Sequence, residues 1–343
     1  MKAAVFHEFG GVDKLRVEGR PDPVPGPTDA LVRVRACGVN RLDLMVRSGA
    51  TRVKLALPHI GGCEIAGEVV ALGDAASTDV RPGQAVAVAP YLFCGRCEYC
   101  LAGEETTCLR GDIVGLSQDG GFAELARVPA ANLVALPDGV SYDAGAAVSL
   151  ATLTAWHMLV TRARLRAGED VLVLAAGSGI GSAAIQIARL LGARVIATAS
   201  TAEKRARARE LGAQETIDYQ NDDLLAEVRR LTNKRGVDVV VEHVGAATWE
   251  KSVAALARNG RLVTCGTTSG AEGKLDLWSL FAKQLNLIGC YGGSRAELKT
   301  ILRLVADGRL TPTIHASYDL EGVATAQSVM VDRQQFGKLV IRP

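Results

Sequence analysis

The rhythm of apolar and polar positions changes near residue 150. Before it, short apolar runs are cut by glycine and proline. Ala30-Leu31-Val32-Arg33-Val34-Arg35-Ala36 alternates, and Gly67–Gly73 and Gln84–Val88 are rich in β-branched residues, which predicts strands. Pro25-Gly26-Pro27 and Pro82-Gly83 mark turns between them. Ser141–Thr161 reads as helix. From Asp170 the runs become unbroken: Val171-Leu172-Val173-Leu174-Ala175 has the pattern of a strand buried on both faces. Predicted helices then alternate with strands. The helices are Ile180–Leu191, Ala202–Leu211, Leu224–Thr232 and Trp249–Ala257. The strands are Arg194–Thr198, Glu215–Ile217, Val237–Val241, Gly260–Cys265 and Asn286–Gly289. That alternation predicts a doubly wound parallel sheet. After about Cys290 a helix (Ala296–Ala306) and two strand-like segments, the last being Gly337–Ile341, are expected to return to the first domain.

Composition changes this picture little. At 343 residues, with 48% apolar and 22% charged, the chain suits about two globular domains. A formal charge of +2 carries no nucleic-acid footprint, and no window approaches about 18 uninterrupted apolar residues, so neither nucleic acid nor a membrane is an expected partner. Met1–Glu8 lacks the pattern of a signal peptide, which places the chain in the cytoplasm. There its eight cysteines are expected to be ligands, core fillers or reactive thiols rather than disulfides.

Ala175-Ala176-Gly177-Ser178-Gly179-Ile180-Gly181 lies between a buried strand and a helix. Glycines there let backbone approach a pyrophosphate, and the helix N-terminus offers amide donors. Gly177, Ser178, Gly179, Ile180 and Gly181 are therefore candidate cofactor contacts. In this arrangement an acid about 20 residues further on usually holds the adenosine ribose. The chain instead has Thr198-Ala199-Ser200-Thr201-Ala202-Glu203-Lys204, without an acid at the strand end. Ser200 and Lys204 suit a phosphate, so NADP is expected, with NAD the alternative. Val244, Gly266 and Thr267 sit at strand ends on the ligand edge of the sheet and are expected to border the cofactor. Cys94, Cys97, Cys100 and Cys108 follow C-x2-C-x2-C-x7-C, a spacing that encloses one structural zinc with no open position for chemistry. An iron–sulfur cluster is the chemical alternative.

Taken with Ala36-Cys37-Gly38-Val39-Asn40-Arg41-Leu42-Asp43, Gly61-Gly62-Cys63-Glu64-Ile65-Ala66-Gly67 and Gly120-Gly121-Phe122-Ala123-Glu124, these motifs resemble the medium-chain dehydrogenase/reductase superfamily of alcohol dehydrogenases and quinone reductases. The resemblance covers essentially the whole chain. It implies an α/β fold: a GroES-like β domain (1–150 and 291–343) and a Rossmann domain (151–290). It also implies a homodimer or homotetramer, with Val263 or the Leu285–Ile288 strand as its edge. The resemblance further implies Tyr219 at the NADPH phosphate, Tyr291 near the nicotinamide carboxamide and Lys338 near the cofactor phosphates.

The departures from the family pattern set the functional expectation. The three catalytic-zinc positions of the alcohol dehydrogenases align with Asn40, Cys63 and Leu150, which cannot complete a zinc shell. Gly38-Val39-Asn40 resembles the zinc-free quinone and enoyl reductases. The chain thus reads as an NAD(P)H-dependent oxidoreductase that reduces quinones or conjugated enones and enals, small-molecule carbonyls, without a catalytic metal. The alternatives are an alcohol or aldehyde dehydrogenase with an unusual Cys63/Glu64/Asp43 metal site, or a non-catalytic NADPH-binding protein of the crystallin kind. Asn40, Asp43 and Cys63 are the candidate catalytic residues. Asn40 would hydrogen-bond a carbonyl, Asp43 could equally be structural, and Cys63 could be a buried spectator thiol. His59 and Tyr91 are further candidates.

Overall fold

The computed structural model describes residues 1–343 and divides into two compact units: Met1–Leu153 with Gly293–Pro343, and Thr154–Gly292. The chain crosses from one unit to the other inside a helical run, Tyr142–Arg162. That run is long and apolar enough to cross a membrane, yet 67% of it is buried inside the protein, as core helices are.

The spine of the first unit is the strand Asp29–Val39, whose alternating burial in its first half follows the alternation of Ala30–Ala36. It pairs antiparallel with Glu64–Leu72, Leu125–Pro129 and Lys338–Arg342. Ala3, Val5, Val32, Val34, Ile65, Val69, Val86, Phe122, Leu339 and Ile341 close one core against this sheet. Two registers matter below: Leu339 lies opposite Val39, and Glu64 opposite Gly38.

The second unit is a six-stranded sheet in the order Glu215–Asp218, Arg194–Ala199, Asp170–Val173, Val237–Glu242, Leu256–Thr264, Asn286–Gly289. All neighbours run parallel. The Val, Ile and Leu runs of its central strands fill the core on both faces, as buried parallel strands require. Strand order reverses between Asp170–Val173 and Val237–Glu242, and the carboxyl ends there flank the crevice in which such sheets bind ligands.

Two expectations are corrected. The helix beginning at Trp249 ends at Ala254 and the next strand starts at Leu256, and its pairing with Val237–Glu242 slips register between Val237 and Val239. Asn259, at φ 58°, carries the chain through that irregularity, a conformation asparagine tolerates better than most residues. Val263 is no edge residue: it is fully buried in a strand flanked on both sides, and the outermost strand is Asn286–Gly289.

Candidate active site and structural metal loop

The first unit gathers its buried polar groups at the end of its spine strand. Asn40 follows Val39 directly, and the register of the last strand sets Lys338 beside it. The Lys338 ammonium, 5% exposed, donates to Val39 O at 2.7 Å and Asn40 Oδ1 at 2.6 Å and pairs with Glu64 Oε2 at 2.7 Å. Two of its donors make hydrogen bonds, to Val39 O and Asn40 Oδ1, and its charge is paired with Glu64. The expectation of Lys338 at the cofactor phosphates is therefore corrected: its charge is spent inside this network.

Glu64, wholly buried, uses its other oxygen to accept the amides of Leu150 at 3.0 Å and Ala151 at 2.9 Å. These amides belong to a widened π turn, Val148–Thr152, in which ordinary helical pairing is displaced. Glycine is required at position 38, because a Cβ there would sit 1.9 Å from Glu64 Oε2.

With its oxygen held by Lys338, the Asn40 side chain has a fixed orientation. Its Nδ2 has only long contacts, 3.4 Å to Gly38 O and 3.7 Å to Cys63 Sγ. Asp43 lies in the first turn of the helix Arg41–Ser48 and braces the site from below. It accepts the Asn40 amide at 2.6 Å and the Gly62 amide at 3.1 Å. Burial pushes its carboxyl up to about 7, against the pull of those amides and of Lys338. Cys63 is buried in an apolar cluster with Phe6, Val46, Tyr91, Ile113 and Leu116, with Leu150 packed against it. Burial, then Asp43 and Glu64, push its thiol well up, so it is a protonated spectator rather than a thiolate.

A second metal does not fit here. The oxygen of Asn40 is committed to Lys338, Leu150 has no donor, and Glu64 and Asp43 already serve Lys338 and backbone amides. His59 is structural: its Nε2 meets Gly115 O at 3.2 Å and its ring packs edge-on to Phe6.

In the second unit the glycine turn leads into the helix Gly179–Leu190, capped by Ser178, whose Oγ accepts the Gly181 amide at 2.8 Å. A Cβ on Gly181 would lie 2.3 Å from Ala175 O, so this glycine secures the close approach of helix and strand. The register pairs Ala199 with Asp218, which sets Ser200 and Tyr219 side by side beyond two adjacent strand ends. Lys204 stands half-buried in the first turn of the helix Ala202–Leu211, and burial draws its pKa down. Sequence reasoning missed Asp218, an acid at this corner. The Asn221 side chain and the Gln220 amide donate to it and Arg205 pairs with it at 2.6 Å, so it is held below the usual carboxylate range. Val244, Gly266 and Thr267 do come together: Ser269 folds back onto Val244 O at 2.7 Å, and Gly266 packs on the backbone of His243. Tyr291 is 57% exposed, just past the last strand.

The cysteine loop is clamped at its base by pairing of Tyr91–Leu92 with Asp112–Ile113. Arg295 pins it further, meeting Glu105 at 3.2 Å and lying 4.8 Å over the Phe93 ring. The four sulfurs lie within 4.8 Å of one another, with pairs at 3.5, 3.9 and 4.0 Å. A tetrahedron with Zn–S bonds of about 2.3 Å needs sulfurs about 3.8 Å apart, so the loop fits zinc. Amides of Cys94 and Arg110 point at Cys108 Sγ, and those of Cys100 and Leu109 hold the Cys97 thiol down, whereas burial and the neighbouring thiols push Cys100 up. It is the one group of His, Cys, Asp and Glu side chains with converging ligand atoms.

A GroES-like β unit with a four-cysteine loop, joined to a Rossmann unit, defines a nicotinamide-dependent oxidoreductase. Comparison with known proteins agrees. Residues 26–138 match the alcohol dehydrogenase GroES-like domain, and residues 179–307 match the zinc-binding dehydrogenase family. The chain is 32% identical to a quinone oxidoreductase of Pseudomonas aeruginosa, across 100% of this chain and 99% of that one. It is equally 32% identical to an alcohol dehydrogenase of Geobacillus stearothermophilus, with the same coverage. A solved structure described as an NAD-dependent alcohol dehydrogenase superposes with a TM-score of 0.95 at 43% identity over 100% of both chains. The chain belongs to the medium-chain dehydrogenase/reductase superfamily and is an NAD(P)-dependent oxidoreductase.

Proposed function

We propose that this enzyme reduces conjugated carbonyls (quinones, enones or enals) with NADPH and without a catalytic metal. The observation that carries this reading is the buried Lys338 ammonium, which already neutralises Glu64 and occupies the Asn40 oxygen. A site charged in this way supplies a hydrogen-bond donor, not a Lewis acid. The two contacts of Asn40 Nδ2 are long, so a carbonyl oxygen at about 2.9 Å would be the better acceptor. The reduced nicotinamide supplies a hydride. Negative charge developing on the carbonyl oxygen of a conjugated substrate would be stabilised by Asn40 Nδ2–H. A proton from water then completes the reduction. Asp43 keeps Asn40 in place, and Cys63 takes no part. Cys94, Cys97, Cys100 and Cys108 would hold a zinc that fastens their loop and leaves no position open for chemistry.

NADPH is preferred on the same terms. Ser200, Lys204 and Tyr219 share one corner with a carboxylate, Asp218, that Arg205 has neutralised. The chain forms a homodimer or homotetramer through the outer edge of Asn286–Gly289, which has no neighbouring strand. Its eight free cysteines suit a reducing compartment such as the cytoplasm.

The likeness to a protein described as an NAD-dependent alcohol dehydrogenase favours a second reading, alcohol oxidation. Metal analysis and a substrate panel separate the two. One zinc per chain with NADPH oxidation by quinones or enones supports the first reading. Two zinc per chain, or turnover of simple alcohols alone, would sink it.

A further inference from the structure

His243 stands one residue past the strand Val237–Glu242, on the far wall of the crevice from the glycine turn. Its ring is 8% exposed, and its Nε2 lies 2.9 Å from Ser178 Oγ. The hydrogen bond therefore spans the point at which strand order reverses. Ser178 Oγ accepts the Gly181 amide with one lone pair and is placed to give its own proton to Nε2. In that tautomer Nε2 is unprotonated and the ring's proton stands on Nδ1. The ring is neutral, since burial draws its pKa down to about 4.

The Nδ1–H has no acceptor, although it is buried. The adjacent Glu242 cannot serve. Its carboxylate accepts the amides of Val244 and Gly245 and the hydroxyls of Thr248 and Ser252. A buried donor without a partner is costly, and its position here marks a missing acceptor on a ligand. Ser178 is meanwhile silent toward any phosphate, because its hydroxyl is given to His243 and its amide to Ala175 O.

The geometry points to His243 as a cofactor-binding residue, its Nδ1–H donating to an oxygen of the dinucleotide's pyrophosphate or nicotinamide ribose. It supplies from the opposite wall the donor that Ser178 has given up. The amides of Gly179 and Ile180, at the start of the helix, bind the remaining oxygens. This assignment concerns the dinucleotide alone and holds whichever carbonyl or alcohol the enzyme turns over.

Two substitutions separate the two ring nitrogens. His243→Gln places an amide near Nε2, able to accept the Ser178 proton, but removes the donor at Nδ1. His243→Asn places an amide near Nδ1 and abandons Ser178. Dissociation constants of NADPH, ADP-ribose and 5′-AMP are measured on the intact enzyme by fluorescence or calorimetry, with melting curves recorded on the free protein. His243→Gln is expected to weaken NADPH and ADP-ribose about tenfold or more. Binding of 5′-AMP, which lacks that half of the cofactor, is expected to stay within about twofold, and His243→Asn to lose less than His243→Gln. The assignment is overturned if His243→Gln binds NADPH like the parent, if His243→Asn loses as much or more, or if 5′-AMP weakens in parallel. The last pattern means that the turn has collapsed.

Discussion

Replacing Lys338 by methionine keeps most of the side-chain volume and deletes the ammonium. Glu64, with no exposed surface, then keeps its charge with only the Leu150 and Ala151 amides for company. Asn40 Oδ1 and Val39 O lose their donor at the same time. Breaking a buried ion pair on one side costs about 3–5 kcal/mol, most of it from the stranded charge. Removing that charge as well should restore stability, because Glu64→Gln retains a carbonyl for the two amides. Lys338→Met/Glu64→Gln is thus expected to be more stable than Lys338→Met by about 2 kcal/mol or more. Urea denaturation at pH 7, followed by circular dichroism, measures both, with the zinc content checked as unchanged. A double variant no more stable than Lys338→Met would refute the reasoning, since Glu64 would then not depend on Lys338 for its charge.

The buried Asp43 gives a pH signature. Its carboxyl titrates at about 7 in the fold against about 4 in the unfolded chain, so the stability it contributes is complete below about pH 4 and lost as pH rises through 7. Comparing urea midpoints at pH 5 and pH 8, the parent should lose stability relative to Asp43→Asn; equal slopes would count against it. Gly38→Ala drives a Cβ into Glu64 Oε2 and should cost about 1–3 kcal/mol, read as a lowered melting temperature, whereas unchanged melting would contradict the contact. Cys97→Ser should release zinc, detected by mass spectrometry, and open residues 93–111 to protease while the Rossmann unit still binds NADPH. Lys204→Ala should weaken NADPH about tenfold and NADH little, by fluorescence titration, and equal losses would remove the phosphate contact.

Much of the architecture was legible because local rules and tertiary packing agree. The unbroken run Val171–Leu174 and the glycine turn required a buried parallel strand feeding a helix, and both are present. The cysteine spacing required convergent sulfurs, and they converge. What sequence could not show was which distant groups meet. Lys338 and Glu64 are 274 positions apart, and only the pairing of both neighbouring strands with Asp29–Val39 brings them together. Family likeness sent Lys338 to the phosphates because likeness carries positions, not the local balance of charge. His243 went unremarked, although a histidine just past an apolar parallel strand and two residues before Gly245 was a usable signal. Asp218 was passed over because it ends the third strand of the fold rather than the second.

The first unit is discontinuous, and this imposes an order on synthesis. Residues 154–292 are contiguous and leave the ribosome before the segment that carries Lys338. Until that segment emerges, Glu64 has no counter-ion and cannot be enclosed without penalty. The GroES-like half, although translated first, is therefore finished last. A nascent chain halted before residue 338 would lack Lys338–Arg342, leaving the flank of Asp29–Val39 that this strand covers open.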